Sequence, residues 1–301
     1  MISVIIPSYN RARTIEKSAR SVLNQTYTDL ELIIVDDCSS DNTAEVVAAL
    51  VAEDPRVRYI RHDHNQGACA ARNTGIDAAC GEYIAFQDSD DAWRPEKLER
   101  QMAAMKQYQA EICYCVLERH NYPKSLKLHY PELPGGPVTY ETFIAKAHAS
   151  TQTLLVKTEV CRECHFDITL KKLQDYDWCI RAGRDHSIVF VDKVLVDVYL
   201  QEDSITSQQT ADEKTIAAYE VLLAKHDQTA REYPSFALRL LSTIGRQRAC
   251  LGDRSGDEYY RAYKVSGNPK HLVKHVLYKA GLLQIHYKVR QNIDAHRNTA
   301  R

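Results

Sequence analysis

Three carboxylates fall within four residues at Asp88-Ser89-Asp90-Asp91, directly after the apolar run Tyr83-Ile84-Ala85-Phe86. At the end of a strand such a cluster crowds negative charge. A hard divalent cation with oxygen ligands, together with the phosphates it carries, relieves that repulsion. The competing reading is a helix start, with Asp91 ahead of Trp93-Arg94-Pro95-Glu96 acting as an N-terminal cap.

The acidic cluster is one of four polar strand ends. Strand-like runs cover Val4 to Pro7, Leu32 to Val35, Val57 to Ile60 and Tyr83 to Phe86, with helical patterns near Thr14 to Asn24, Thr43 to Ala52 and Ala68 to Ala79. This alternation predicts an α/β fold, a Rossmann-like doubly wound and mostly parallel sheet whose ligands bind beyond the carboxyl ends of the strands. Ser8-Tyr9-Asn10 follows the first strand, Asp36-Asp37 the second, His62 to Asn65 the third and Asp88 to Asp91 the fourth, so all four converge on one crevice. Farther along, Glu111 to Leu117, Thr151 to Val156, Ile188 to Val191 and Val194 to Leu200 read as strands, Asn121 to Pro137 as a loop rich in Pro and Gly, and Asp175 to Gly183 as a helix. From about Thr210 the pattern is helical, with breaks at Leu251-Gly252-Asp253 and Ser266-Gly267-Asn268-Pro269. A boundary near residue 208 therefore separates an α/β region, 1–208, with halves at 1–118 and 119–208, from a helical extension at 209–301.

Composition narrows the function classes. The chain has 301 residues, 44% apolar and 26% charged, as expected of a soluble globular protein with a substantial core. A net charge of −1 argues against nucleic acid as a partner. The first residues, Met1-Ile2-Ser3-Val4-Ile5-Ile6-Pro7, lack the basic start and long apolar stretch of a signal peptide, and no run is long enough to span a bilayer. Nine cysteines without framework spacing suit free thiols in a reducing compartment, so the expected location is cytoplasmic.

Four segments together resemble family 2 glycosyltransferases, the inverting group with a GT-A fold: Val4-Ile5-Ile6-Pro7-Ser8-Tyr9-Asn10-Arg11, Ile34-Val35-Asp36-Asp37-Cys38-Ser39-Ser40-Asp41, Asn65-Gln66-Gly67-Ala68 with Ala71-Arg72-Asn73-Thr74-Gly75, and Asp88-Ser89-Asp90-Asp91. The resemblance covers about residues 1 to 208. It implies that Pro7, Tyr9, Asp37, Asn65, Arg72 and Asp88 bind a nucleotide-sugar: Tyr9 stacks on the base, Asp37 accepts a hydrogen bond from a uracil N–H, Arg72 and the helix N-terminus beside it favour diphosphate or ribose, and Asp88 faces the ribose. Asp90 is implied as the ligand of Mn²⁺ or Mg²⁺, leaving Asp91 as a supporting acid or a helix cap. A salt bridge is the alternative for Arg72, helix capping for Asp36, Ser39 and Asp41, and close packing for Gly67 and Gly75.

An inverting transfer also needs a general base. The family's position for it falls on Asp175 within Gln174-Asp175-Tyr176-Asp177-Trp178-Cys179-Ile180-Arg181, with Asp177 as the fallback. Gln174 stands where the family usually has Glu; losing that like charge is expected to lower the pKa of Asp175. The family's segment ending in Ser-x-Ser/Thr matches Tyr199 to Thr206, with Leu200 and Gln201 where Arg or His is common and Ser204 as a turn residue. The implied activity is a metal-dependent transfer of a hexose or N-acetylhexosamine from a UDP-sugar to a glycan or lipid-linked glycan acceptor in bacterial surface polysaccharide assembly. The rival is a non-catalytic sugar-nucleotide binder or scaffold of the same fold. A nucleotidyltransferase would need a Gly-rich loop after the first strand, and a dehydrogenase a Gly-x-Gly-x-x-Gly turn; Ser8-Tyr9-Asn10-Arg11 supplies neither.

Cys161-Arg162-Glu163-Cys164-His165 matches a haem-attachment spacing, but that chemistry requires export. In the tail, Leu272, Val273, Val276, Leu277 and Ala280 recur at helical spacing beside Lys270, Lys274 and Lys279. Such a helix either lies on an anionic membrane, at the inner face of the plasma membrane, or packs on the catalytic domain with its lysines solvated.

Overall fold

The computed structural model describes residues 1–120, 133–146, 149–199 and 212–284. These residues form two compact units: one holds the described residues up to Thr169 together with those from Gln174 to Tyr199, and the other holds Leu170–Leu173 and residues 212–284.

The first unit is built on a nine-stranded mixed sheet. Its N-terminal half consists of β1 (Ile2–Ser8), β2 (Leu30–Asp36), β3 (Val57–Arg61) and β4 (Tyr83–Phe86), all parallel in the order β3-β2-β1-β4. Every residue of β1 and β2 is buried, as expected of central parallel strands covered on both faces. The crossover helices are α1 (Ile15–Leu23), α2 (Thr43–Glu53) and α3 (Ala68–Ala78). In α1 the buried residues Ile15, Ser18, Ala19 and Val22 repeat at helical spacing, which turns one face onto the sheet. The other half contains β5 (Ala92–Trp93), β6 (Ile112–His120), β7 (Gly136–Val138), β8 (Leu155–Lys157) and β9 (Ile188–Tyr199), with α4 (Lys97–Tyr108), α5 (Tyr140–Ala145), α6 (Thr158–Glu163) and α7 (Gln174–Ala182) around them. β8 is antiparallel to both β4 and β6, and it joins the two halves.

Several sequence expectations change here. The two strands expected between Ile188 and Leu200 are one strand, β9, pairing parallel with β6 through register shifts near Cys115 and Val116. Thr151–Thr153 is a turn of 3-10 helix, so only the end of the expected Thr151 to Val156 strand enters the sheet. Of the expected Asn121 to Pro137 loop, residues 121–132 lie outside the described residues, and Gly136–Val138 is β7 against β9. Leu200, Gln201 and Ser204 also lie outside the described residues. Asp91 does not cap a helix, because α4 begins at Lys97 behind Glu96.

The second unit is helical: α8 (Glu213–Lys225), α9 (Asp227–Glu232), α10 (Pro234–Leu251), α11 (Glu258–Ser266) and α12 (Pro269–Lys279). Gly252 and Gly267 adopt left-handed backbone at the ends of α10 and α11, at the two breaks read from the sequence. Ala249, Tyr259, Tyr278 and Leu283 form a small core between the last three helices.

One glycine sets how α3 meets the sheet. A Cβ on Gly75 would run into the Ile5 side chain on β1, so the helix backbone lies directly against that side chain. Gly75→Val should destabilise the fold by about 2 kcal/mol or more through overpacking. Urea unfolding should show this as a lower midpoint at unchanged slope; a midpoint equal to wild type would refute the close approach.

Candidate active site

The crevice begins at Asp37, at the end of β2. Its carboxylate is nearly buried, and protein groups hold it. Oδ1 accepts the Gln66 N–H at 2.8 Å and lies 2.8 Å from His62 Nδ1; Oδ2 accepts the Gly67 N–H at 2.6 Å. Asn65 adds a bond from Nδ2 to the Asp37 carbonyl at 3.2 Å, and His62 Nε2 sits 2.9 Å from Thr74 Oγ1 on α3. Asp37 and Asn65 thus fasten the third strand's loop to the second, and His62 fastens both to the helix. Gly67 has φ of +90° with open space around it, so the backbone conformation there, rather than packing, favours glycine. Asp36 is taken up by Ser39 and by the Tyr59 hydroxyl, and Asp41 holds the N–H groups of Ala12 and Thr43, tying the loop after β1 to the start of α2. Pro7 is buried in β1 opposite Val35, whereas Tyr9 just beyond it is 47% exposed and free to stack on a ligand.

The acidic loop follows β4. Ser18 on α1 donates to the Asp88 carbonyl at 2.8 Å, and Arg72 Nη2 donates to Asp88 Oδ1 at 3.0 Å. Arg72 is only 8% exposed, its guanidinium lies 5.6 Å over the Phe166 ring, and its Nε finds no acceptor among the described residues. Arg72 is therefore held in a salt bridge with Asp88, while its buried Nε stays unsatisfied. Asp90 is held above the usual carboxylate range by burial first and by Asp88 second, with Arg11 opposing; Arg11 Nη2 is 4.0 Å from Asp90 Oδ2. Such an undercompensated oxygen donor suits a hard divalent cation. Asp91 points the other way, 4% exposed, accepting from Gln152 Nε2 at 3.1 Å and from the Tyr199 N–H at 3.0 Å. Burial, with Asp88 and Asp90 adding repulsion, pushes its carboxyl well up. It secures the end of β9 to the acidic loop.

Asp175 reaches this group through Phe166. The Phe166 backbone forms two bonds with the Asn73 side chain, each 2.9 Å, and its ring stacks on Trp178 of α7 at 5.8 Å. These contacts set the first turn of α7 beside Arg72. Asp175 is half-buried, and its Oδ1 accepts the Tyr176 N–H at 2.8 Å. Its pKa is raised, chiefly by burial, while the Tyr176 N–H and Arg72 pull it down and Asp88 pushes it up. The sequence reading expected a lowered value from the Gln174 exchange; desolvation outweighs that loss of a like charge. Asp177, the fallback base, is fully buried and bound to Arg181 Nε at 2.9 Å, which gives it a structural role.

Arg11, Ser18, His62, Gln152 and Tyr199 were not given these roles by the sequence. Arg11 lay inside a quoted motif, but the others make contacts across 12 to 108 positions, which no local pattern encodes. A second grouping, Glu118, His120 and Asp197, brings three potential ligand atoms within 4.8 Å of one another. Arg94 already bridges it, at 2.6 Å from Glu118 and 3.1 Å from Asp197. The Cys161-to-His165 segment has no haem geometry: Cys161 is fully buried, Cys164 Sγ accepts from Arg181 at 2.8 Å, and His165 pairs with Asp77.

Comparison with known proteins agrees with this architecture. The family model described as glycosyl transferase family 2 matches residues 3–165, more than half of the chain. The chain is 32% identical over 251 residues to the putative colanic acid biosynthesis glycosyl transferase WcaA of Escherichia coli K12, covering 79% of this chain and 87% of that one. It is 44% identical over 114 residues to the E. coli UDP-Glc:alpha-D-GlcNAc-diphosphoundecaprenol beta-1,3-glucosyltransferase WfgD, covering 38% and 44%. Among solved structures, S. aureus TarS in complex with UDP-GlcNAc superposes with a TM-score of 0.66 at 19% identity, over 95% of this chain and 91% of that one. The Pyrobaculum calidifontis mannosyltransferase PcManGT, in complex with GDP-Man and Mn²⁺, gives 0.55 at 18% identity, over 92% and 73%. The fold is therefore GT-A, and with the family model and the WcaA match together, the chain belongs to glycosyl transferase family 2 and is a glycosyltransferase.

Proposed function

We propose that the chain transfers a hexose or N-acetylhexosamine from a UDP-activated donor to an acceptor hydroxyl, with inversion, during assembly of a bacterial surface polysaccharide. The observation that carries this reading is the nearly buried guanidinium of Arg72, bonded to Asp88 and lowering the pKa of Asp175 against the effect of burial. A cation so placed serves a donor diphosphate on one side and a base on the other. The UDP donor is supported by WfgD, whose name specifies UDP-Glc, and by the TarS complex with UDP-GlcNAc. The colanic acid setting of WcaA and the lipid diphosphate acceptor of WfgD support the polysaccharide setting.

On the donor side, Tyr9 stacks on the uracil, and Asp37, with Pro7 and Asn65 framing it, offers its remaining acceptor capacity to the uracil N–H. Asp88 orients the ribose, and Arg72 faces the diphosphate. Asp90 would hold Mn²⁺ or Mg²⁺, which when bound supplies positive charge against the negative charge growing on the leaving diphosphate. Asp175 takes the proton of the acceptor hydroxyl; the acceptor oxygen bonds to the anomeric carbon as the bond to the UDP oxygen breaks. From an α-linked donor the product is a β-glycoside.

Asp90→Ala should lower Mn²⁺-dependent UDP-sugar turnover by about 100-fold or more, and should abolish the rise in thermal midpoint that Mn²⁺ gives the wild type. An equal Mn²⁺ shift in both proteins would remove Asp90 from the metal site. For Asp175→Asn we expect a fall in kcat of about 10²- to 10⁴-fold, read as released UDP. The wild-type rate should decline as pH falls through the raised pKa of Asp175, so the acid limb lies above the range of an ordinary aspartate.

Stability should move in the opposite direction. A carboxyl with a raised folded-state pKa contributes stability that is complete below its unfolded pKa and lost as pH rises through the folded one. Asp175→Asn, which imitates the neutral acid, should therefore melt higher than wild type at neutral pH and equally near pH 3, about a unit below the unfolded aspartate value. A lower melting point at neutral pH would contradict the desolvated environment.

A further inference from the structure

A helix on the surface of a globular unit ordinarily buries its apolar stripe and turns its charges outward. α12 carries apolar residues on its outward side as well. Tyr278, buried between α10 and α11, and the half-buried His271 and His275 mark the side that packs. Leu277 also packs against the core that holds Tyr278, but the other aliphatic residues stand on the opposite side: Leu272 is 36% exposed, Val273 57% and Val276 60%, with exposed Ala280 continuing the row. Lys270 and Lys274 are exposed along one margin, and Lys279 along the other.

The neighbouring α11 adds exposed residues beside the packed side of α12. The Tyr260 ring packs 5.6 Å from the His275 ring, and Tyr260 and Val265 are themselves 39% and 40% exposed, with Lys264 over Tyr260. From Tyr259 to Gln284 the sequence has Arg261, Lys264, Lys270, Lys274 and Lys279, and no Asp or Glu. Among the described residues of this stretch the exposed aliphatics are accompanied by cations and no acid, which complements an anionic, apolar phase. A second copy of this face would bring like charges together, and among the described residues no helix is long and apolar enough to cross a bilayer.

We infer that the outward face of α12, with the neighbouring exposed residues of α11, docks on an anionic phospholipid surface, seating Leu272, Val273 and Val276 among the acyl chains and the lysines at the headgroups. Its use in delivering the enzyme to a lipid-linked acceptor rests on the function proposed above; the binding itself does not.

Flotation of the full-length protein with vesicles tests this, comparing phosphatidylcholine alone with phosphatidylcholine mixed with phosphatidylglycerol. Wild type should float with the anionic vesicles and stay behind with the neutral ones. The double variant Val273→Asp/Val276→Asp should lose at least about tenfold in partitioning. Lys264→Gln/Lys270→Gln/Lys274→Gln, which keeps the aliphatics, should lose on the order of 100-fold. Circular dichroism melting and UDP-sugar turnover without vesicles should match wild type in both variants, because the changed side chains are exposed. Flotation of the double variant like wild type, equal binding to neutral vesicles, or a vesicle-independent dimer that the double variant abolishes would each overturn the proposal. A protein that floats as expected yet releases no UDP from any donor would contradict the enzymatic reading and leave the docking face standing.

Discussion

The site depends on one buried positive charge. Asp88, Asp90, Asp91 and Asp175 gather where desolvation raises three of the four, and each added carboxylate makes the next harder to ionise. Arg72 meets that charge from below, through its bond to Asp88 and its field at Asp175. Its position follows from the packing of α3: Gly75 lets the helix lie on Ile5, and the Asn73 side chain clamps the Phe166 backbone that carries α7 into place. Helix packing, loop anchoring and the ionisation of Asp175 are thus parts of one arrangement.

The three acids of the loop after β4 divide by the partners they meet. Asp88 gives one oxygen to Arg72, and Asp91 is taken up by Gln152 and the end of β9. Among the described residues the cation nearest Asp90 is Arg11 at 4.0 Å, and its carboxyl stays raised, so its oxygens retain a demand for a cation. The Glu118, His120 and Asp197 grouping is a useful contrast. It has the ligand types of a metal centre, yet Arg94 and His120 hold Asp197 below its ordinary pKa against the opposing effect of burial. Proximity of acids is a weak sign of a metal site; uncompensated charge is a stronger one.

Much of this was legible in the chain. The parallel strands and their crossovers declare themselves because strands buried on both faces must be continuously apolar and helices must repeat at 3.6 residues. Polar residues after Ser8, Asp36, Arg61 and Phe86 then share one edge by topology alone. The later strands were harder to read. β9 is a single strand that bends past β6 through register shifts, and the pattern of a strand interrupted by Asp192-Lys193 looks like two.

The sequence by itself determined the fold class, the residue types at the crevice and the amphipathic period of the last helix, because these follow from local periodicity and from rules of chain connection. Only the tertiary structure decided which carboxylate stays uncompensated, that burial outweighs the Gln174 exchange in setting Asp175, that Asp91 binds β9 instead of capping α4, and that α12 turns Leu272, Val273 and Val276 outward. Those outcomes depend on which groups meet across long stretches of chain and how much water they lose, and neither quantity is encoded in spacing.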